Sequence, residues 1–122
     1  PTIFKDVPNG SELAQTEIFG PVLSIETWES TEDVIKISND TKYGLAAGIW
    51  TKDISLAMKI ADRIEAGTVY INNYFNAATQ SPVGGYKQSG YGRESGWEGM
   101  RSFMQAKSVW LSTEPNQPDP FA

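Results

Sequence analysis

The chain's 122 residues suit one domain or part of a larger one, and 39% apolar with 20% charged residues describe a folded globular protein. A net charge of −5, with Lys and Arg scattered rather than clustered, argues against nucleic acid or an anionic membrane as the main partner. Absence of both Cys and His removes disulfides, a thiolate nucleophile, the usual metal ligands and the commonest general base, so self-contained hydrolysis and a metal centre are not expected.

Taken in chain order, Thr2–Phe4 is a short β-rich opening closed by the turn residues Pro8-Asn9-Gly10. Ser11 is placed to cap a helical turn reaching Thr16, and Val22–Thr27 reads as a strand with apolar character on both faces. Ser30 followed by Asp33 resembles a capping box, with Val34, Ile35 and Ile37 on the apolar side of a helix that Tyr43-Gly44 is expected to end. Leu45–Trp50 is a small-residue strand. Asp53 caps the clearest helix, in which Ile54, Ala57, Met58, Ala61 and Ile64 share one face. Gly67 is the expected stop just past its C-terminus.

The β-branched Thr68–Ile71 follows as a strand, then a polar loop Asn72–Ser81 and a glycine-rich segment from Gly84 to Gly96. A last helix is expected around Ser95–Phe103, then a strand Lys107–Leu111 and an extended, proline-rich tail. Strand–helix–strand–helix–strand order predicts an α/β fold with a parallel sheet. The apolar runs are too short to span a bilayer, and Pro1–Asp6 has no charged-then-apolar leader pattern, so a cytoplasmic setting is expected.

Three features invite a chemical reading. The glycine-rich segment fails both phosphate-loop patterns: Lys87 is followed by Gln88 rather than Ser or Thr, and Ser95 takes the third glycine's place after Gly90 and Gly92. A loop of tight turns is preferred there. The four Trp residues (28, 50, 97 and 110) share no periodicity and read as core or interface. Glu94 and Glu98, four apart at a helix start, suit the helix dipole better than acid–base work. The run Glu17-Ile18-Phe19-Gly20-Pro21-Val22 sets a carboxylate, which accepts hydrogen bonds from paired hydroxyls, two residues from a ring able to pack on a flat heterocycle. A helix end followed by a turn accounts for the same six residues, and from them alone it is the preferred reading.

The segments together resemble the C-terminal part of an NAD(P)-dependent aldehyde dehydrogenase. The likeness is carried by Pro1–Phe4, Glu17–Val22, Tyr43–Ala47, Ala66–Asn72, Pro82–Gly92 and Lys107–Trp110, in that order and spacing; the proline-rich tail falls outside it. The resemblance implies the α/β catalytic domain of that family over residues 1–103, an oligomerisation strand over 104–113 and an extended tail over 114–122.

It further implies that Glu17 binds the nicotinamide ribose hydroxyls of NAD or NADP, that Phe19 packs beside the nicotinamide, and that Leu45 lies close by. Phe75, Ala77 and Val83 would shape the aldehyde entrance, where many relatives carry aromatic residues in place of Ala77 and Val83. The family oxidises an aldehyde to a carboxylic acid through a cysteine thiohemiacetal, with hydride passing to the cofactor. No catalytic residue of that scheme is expected in a chain without Cys, which reads as a fragment holding one wall of the site, inactive alone. A homo-oligomer, dimer or tetramer, is implied by the strand at 104–113, whose alternation suits an edge completed by another chain. The alternative is a non-catalytic, stand-alone α/β interaction or oligomerisation module.

Overall fold

The computed structural model describes residues 1–113, 118–119 and 121, so the expected tail over 114–122 lies largely outside the described residues. Four strands, β1 (Thr2–Lys5), β2 (Val22–Ile25), β3 (Ala46–Ile49) and β4 (Thr68–Ile71), alternate with helices α1 (Glu12–Gln15), α2 (Thr31–Asn39) and α3 (Ile54–Ala61). Helix α4 (Gly96–Arg101) follows the glycine-rich segment.

Helix starts obey local chemistry. The Ser11 and Asp53 side chains accept from the Ala14 and Leu56 amides, and Ser30 with Asp33 forms a reciprocal capping box, Asp33 serving where Glu or Gln is usual. The ends depart from expectation. Helix α2 stops at Asn39 rather than running to Tyr43-Gly44, because the Asn39 side chain turns away to bond the Arg63 carbonyl at 2.8 Å and the Glu65 amide at 2.9 Å. Helix α3 stops at Ala61, capped by Asp62, well before Gly67. Gly67 instead lets two backbone segments meet, since a Cβ there would sit 1.6 Å from the Gly84 carbonyl oxygen.

The order is α/β and every strand pair is parallel, as the alternation predicts, but the ladders stop at two strands each. β1 pairs with β2 in register Thr2↔Val22, and β3 with β4 in register Ala46↔Thr68. The pairs do not hydrogen-bond to each other. The second ladder is prolonged by a side chain: the Asn72 amide both accepts from the Thr51 N–H at 2.9 Å and donates to the Thr51 carbonyl at 2.8 Å.

Among the described residues the buried apolar core is small: Val7, Ile35 and Ala57. Helices α2 and α3 and strand β3 surround an apolar cavity of about 310 Å3, lined by Val34, Ala47, Ile49, Leu56 and Ile60 among others. All four Trp residues are exposed, so none is core within this chain. Lys107–Leu111, expected as a strand, forms no ladder among the described residues; Val109, Trp110 and Leu111 stand in solvent. No helix among the described residues is long and apolar enough to cross a membrane.

Candidate cofactor cleft and entrance loop

The Glu17–Val22 run is the link between α1 and β2. Its backbone closes on itself twice, Gly20 N–H donating to the Ile18 carbonyl at 2.7 Å and Val22 N–H to the Gly20 carbonyl at 2.8 Å. The Pro21 carbonyl accepts from the Thr2 amide at 2.8 Å, fixing where the run meets the first ladder. Glu17 leaves α1 one residue past its C-cap, Thr16, with an exposed carboxylate that no donor among the described residues engages.

Leu45 comes from the other side, on the segment that enters β3. It and Glu17 line one cleft of about 290 Å3 together with Thr16, Tyr43 and Ser89. Two residues 28 positions apart, on segments that lead into separate two-stranded sheets, are thereby brought to one place. Phe19 is not among the lining residues; its ring is 95% exposed. Simple alternation would put residues 17 and 19 on one face; the turn closed by the Gly20 N–H on the Ile18 carbonyl interrupts it.

Gly44, between the lining residues Tyr43 and Leu45, is tightly held. Its carbonyl accepts from the Gly67 amide at 3.0 Å and the Tyr86 amide at 2.7 Å, and its N–H donates to Ser89 Oγ at 2.9 Å. A Cβ at this position would lie 2.5 Å from the Glu65 carbonyl oxygen. The glycine-rich segment does form tight turns, as the failed phosphate patterns imply. A 3-10 turn at Lys87–Ser89 carries the Ser89 hydroxyl to the cleft, a residue whose part nothing in its own neighbourhood of sequence announces beyond the bordering glycines.

Phe75, Ala77 and Val83 lie on the segment after β4. Phe75 is 87% exposed and held at φ +66°, a left-handed backbone that bulky residues seldom adopt. Its ring stands 6.1 Å from Tyr74, which in turn lies 5.0 Å from Tyr70 and 6.2 Å from Trp50. This aromatic group gathers at the C-terminal ends of β3 and β4, the edge of a parallel sheet where ligands generally bind. Ala77 is exposed in the loop, and Val83 forms a two-bond antiparallel bridge with Glu94 at 2.8 and 2.7 Å. The three share a segment rather than one enclosed cavity.

Electrostatically the cleft has one charged lining residue, the Glu17 carboxylate. The shifted pair among the described residues lies elsewhere: the Arg63 guanidinium, bound to both Glu32 oxygens at 2.5 and 2.7 Å, holds the Glu32 carboxyl below its ordinary value. Among the described residues no three His, Cys, Asp or Glu side chains cluster to hold a metal ion. The cleft offers hydrogen-bond acceptance, a hydroxyl and apolar contact, groups suited to holding a polar ligand.

Comparison with known proteins bears on this arrangement. The sequence model of the aldehyde dehydrogenase family matches residues 1–109. The betaine aldehyde dehydrogenase of Bacillus subtilis (strain 168) is 46% identical over 115 residues, 94% of this chain and 24% of that protein. An aldehyde dehydrogenase of Enchytraeus buchholzi is 48% identical over 113 residues, 93% of this chain and 23% of that protein. Among solved structures, a point mutant of Staphylococcus aureus betaine aldehyde dehydrogenase in complex with NAD+ superposes with a TM-score of 0.90 at 37% identity, over 98% of this chain and 24% of that one. A P. syringae indole-3-acetaldehyde dehydrogenase mutant in complex with NAD+ and IAA gives a TM-score of 0.84 at 44% identity, over 89% and 22%. The chain thus spans less than a quarter of the length of each of these relatives.

Proposed function

The chain belongs to the aldehyde dehydrogenase family, and from that premise we propose that it forms one wall of the active site of an oxidoreductase that converts an aldehyde to a carboxylic acid with NAD or NADP. Glu17 and Leu45 face the nicotinamide ribose, with Phe19 at the outer margin, and Phe75, Ala77 and Val83 shape the aldehyde entrance. Residues 104–113 serve as the subunit-contact strand of a homo-oligomer, and the chain corresponds to the C-terminal part of the family's fold. The thiolate that attacks the aldehyde comes from outside these residues, which contain no Cys.

The observation that carries this reading is the meeting of Glu17 and Leu45 in one cleft, from segments far apart in sequence. The donor set fits the cofactor: a free carboxylate accepts two hydrogen bonds from vicinal hydroxyls, and Leu45 supplies an apolar surface beside it. Complexes of the structural relatives with NAD+ support the same choice of ligand. When bound, the nicotinamide accepts the hydride; the chain's part is to orient it. A carboxylate that holds a ribose at two points restricts the rotation of the attached ring, which favours the reactive geometry over the many unreactive ones.

In the full-length protein carrying this chain, Glu17→Gln is expected to slow single-turnover NADH formation about tenfold or more while weakening NAD+ binding much less. Rapid-mixing fluorescence measures the first and calorimetry the second. An unchanged hydride-transfer rate would count against the assignment. The non-catalytic interaction module draws on the same exposed surfaces, and the coding sequence separates the two: a reading frame continuing upstream through a dinucleotide-binding domain and a cysteine-bearing loop supports the enzyme, and its lack the module.

A further inference from the structure

A helix leaves its last carbonyls without partners inside the helix. At the C-terminal end of α2 those carbonyls are satisfied by side chains from two distant segments, one on each wall of the Glu17–Leu45 cleft. Gln15 Nε2, two residues before Glu17, donates to the Asp40 carbonyl at 2.7 Å and to the Asn9 carbonyl at 2.8 Å. Lys87 Nζ donates to the adjacent Asn39 carbonyl at 2.6 Å and pairs with the Glu65 carboxylate at 2.7 Å. A cation at a helix C-terminus is favoured by the helix dipole as well.

From Lys87 the connection passes directly to the opposite wall. The Gln88 N–H donates to the Lys42 carbonyl at 2.9 Å, the Tyr86 N–H to the Gly44 carbonyl at 2.7 Å, and the Gly44 N–H to Ser89 Oγ at 2.9 Å. Leu45 is the next residue. The turn is drawn tight enough that a Cβ on Gly85 would lie 2.5 Å from the Ser89 carbonyl. Lys87 itself is held at φ +51°, a backbone conformation that persists in non-glycine residues where surrounding bonds over-determine it.

We infer that Gln15 and Lys87 are positioning residues: by binding adjacent carbonyls at the end of α2, they fix the separation of Glu17 from Leu45 across the cleft. Lys87 does not line the cleft, and the Gln15 amide, though it borders the space, is committed to the Asn9 and Asp40 carbonyls. The inference rests on the nicotinamide-facing role proposed above. Reaction depends on alignment far more steeply than binding does, so loosening either anchor acts on the rate first.

In the full-length protein, Lys87→Met and Gln15→Met are each expected to slow single-turnover hydride transfer about tenfold, with NAD+ affinity changed less than about threefold. Lys87→Arg, which keeps a donor for the Asn39 carbonyl, is expected to recover most of the rate. The double variant is expected to lose less than the product of the two single losses, because both residues fix one distance. Should Lys87→Met fail to fold, Glu65→Gln, which removes the carboxylate paired with Lys87 and lies outside the cleft lining, carries the same expectation in smaller measure. Full-rate transfer in these variants beside a slowed Glu17→Gln, even with lowered melting temperatures, overturns the positioning role and leaves the cleft's role standing. An unaffected Glu17→Gln overturns the cleft's role and this inference together.

Discussion

At the scale of single residues, two glycines show how the site is held open and the chain held shut. Gly44 and Gly67 lie where backbone meets backbone with no room for a side chain, Gly44 against the Glu65 carbonyl and Gly67 against that of Gly84. Gly67, by its place in the string a helix stop, permits the glycine-rich segment to dock on the β3–β4 ladder instead. Gly67→Ala is therefore expected to destabilise the protein by about 3 kcal/mol, the upper end of overpacking costs, because rigid backbone and not a side-chain tip must yield. Denaturant unfolding of the two proteins measures it, and a loss below about 1 kcal/mol would show that the segment gives way freely.

At the scale of elements, short helices are tied together by polar contacts in place of a large buried core. The bidentate Glu32–Arg63 pair joins the first turn of α2 to the residue just beyond the cap of α3, and both side chains are well exposed. Its effect on pH dependence has a definite sign. The folded-state pKa of Glu32 lies below its ordinary 4.5, so the stabilisation is fully present above that value and is lost as pH falls through the lowered one. Glu32→Gln is accordingly expected to lower the melting temperature slightly at neutral pH, with the difference shrinking to nothing in strong acid and in high salt. A difference that persists after the carboxyl is protonated would assign the effect to packing rather than charge.

At the scale of the whole molecule, surface area is the governing fact. The chain exposes 10298 Å2, whereas a compact monomer of its mass, 13.4 kDa, exposes about 6,500 Å2. Parallel ladders are normally covered on both faces, yet every residue of β1 is exposed, as are Leu23 and Ile25 of β2. Phe103, Val109, Trp110 and Leu111 add further exposed apolar side chains. The 122-residue chain expressed by itself is expected to self-associate through these surfaces and to bind NAD+ negligibly. Sedimentation and calorimetry test the two halves; a strictly monomeric species or micromolar NAD+ binding would contradict one or the other.

What the sequence determined by itself is local. The caps at Ser11, Ser30 and Asp53 are side-chain-to-backbone bonds spanning three residues, so their spacing in the string is their geometry. The α/β order and parallel pairing follow from hydrophobic period and crossover length. Glu17 and Leu45 were also legible as candidates, through the resemblance of the whole string to a family. Tertiary structure alone decided where the helices stop, because Asn39 ends α2 by bonding residues 24 and 26 positions away. It alone separated Glu17, on the cleft wall, from Phe19, in solvent, and brought Gln15, Lys87 and Ser89 into the account. Those residues act through bonds spanning 25 to 48 positions, and an interaction of that reach leaves no periodic or adjacent mark in the residues that make it.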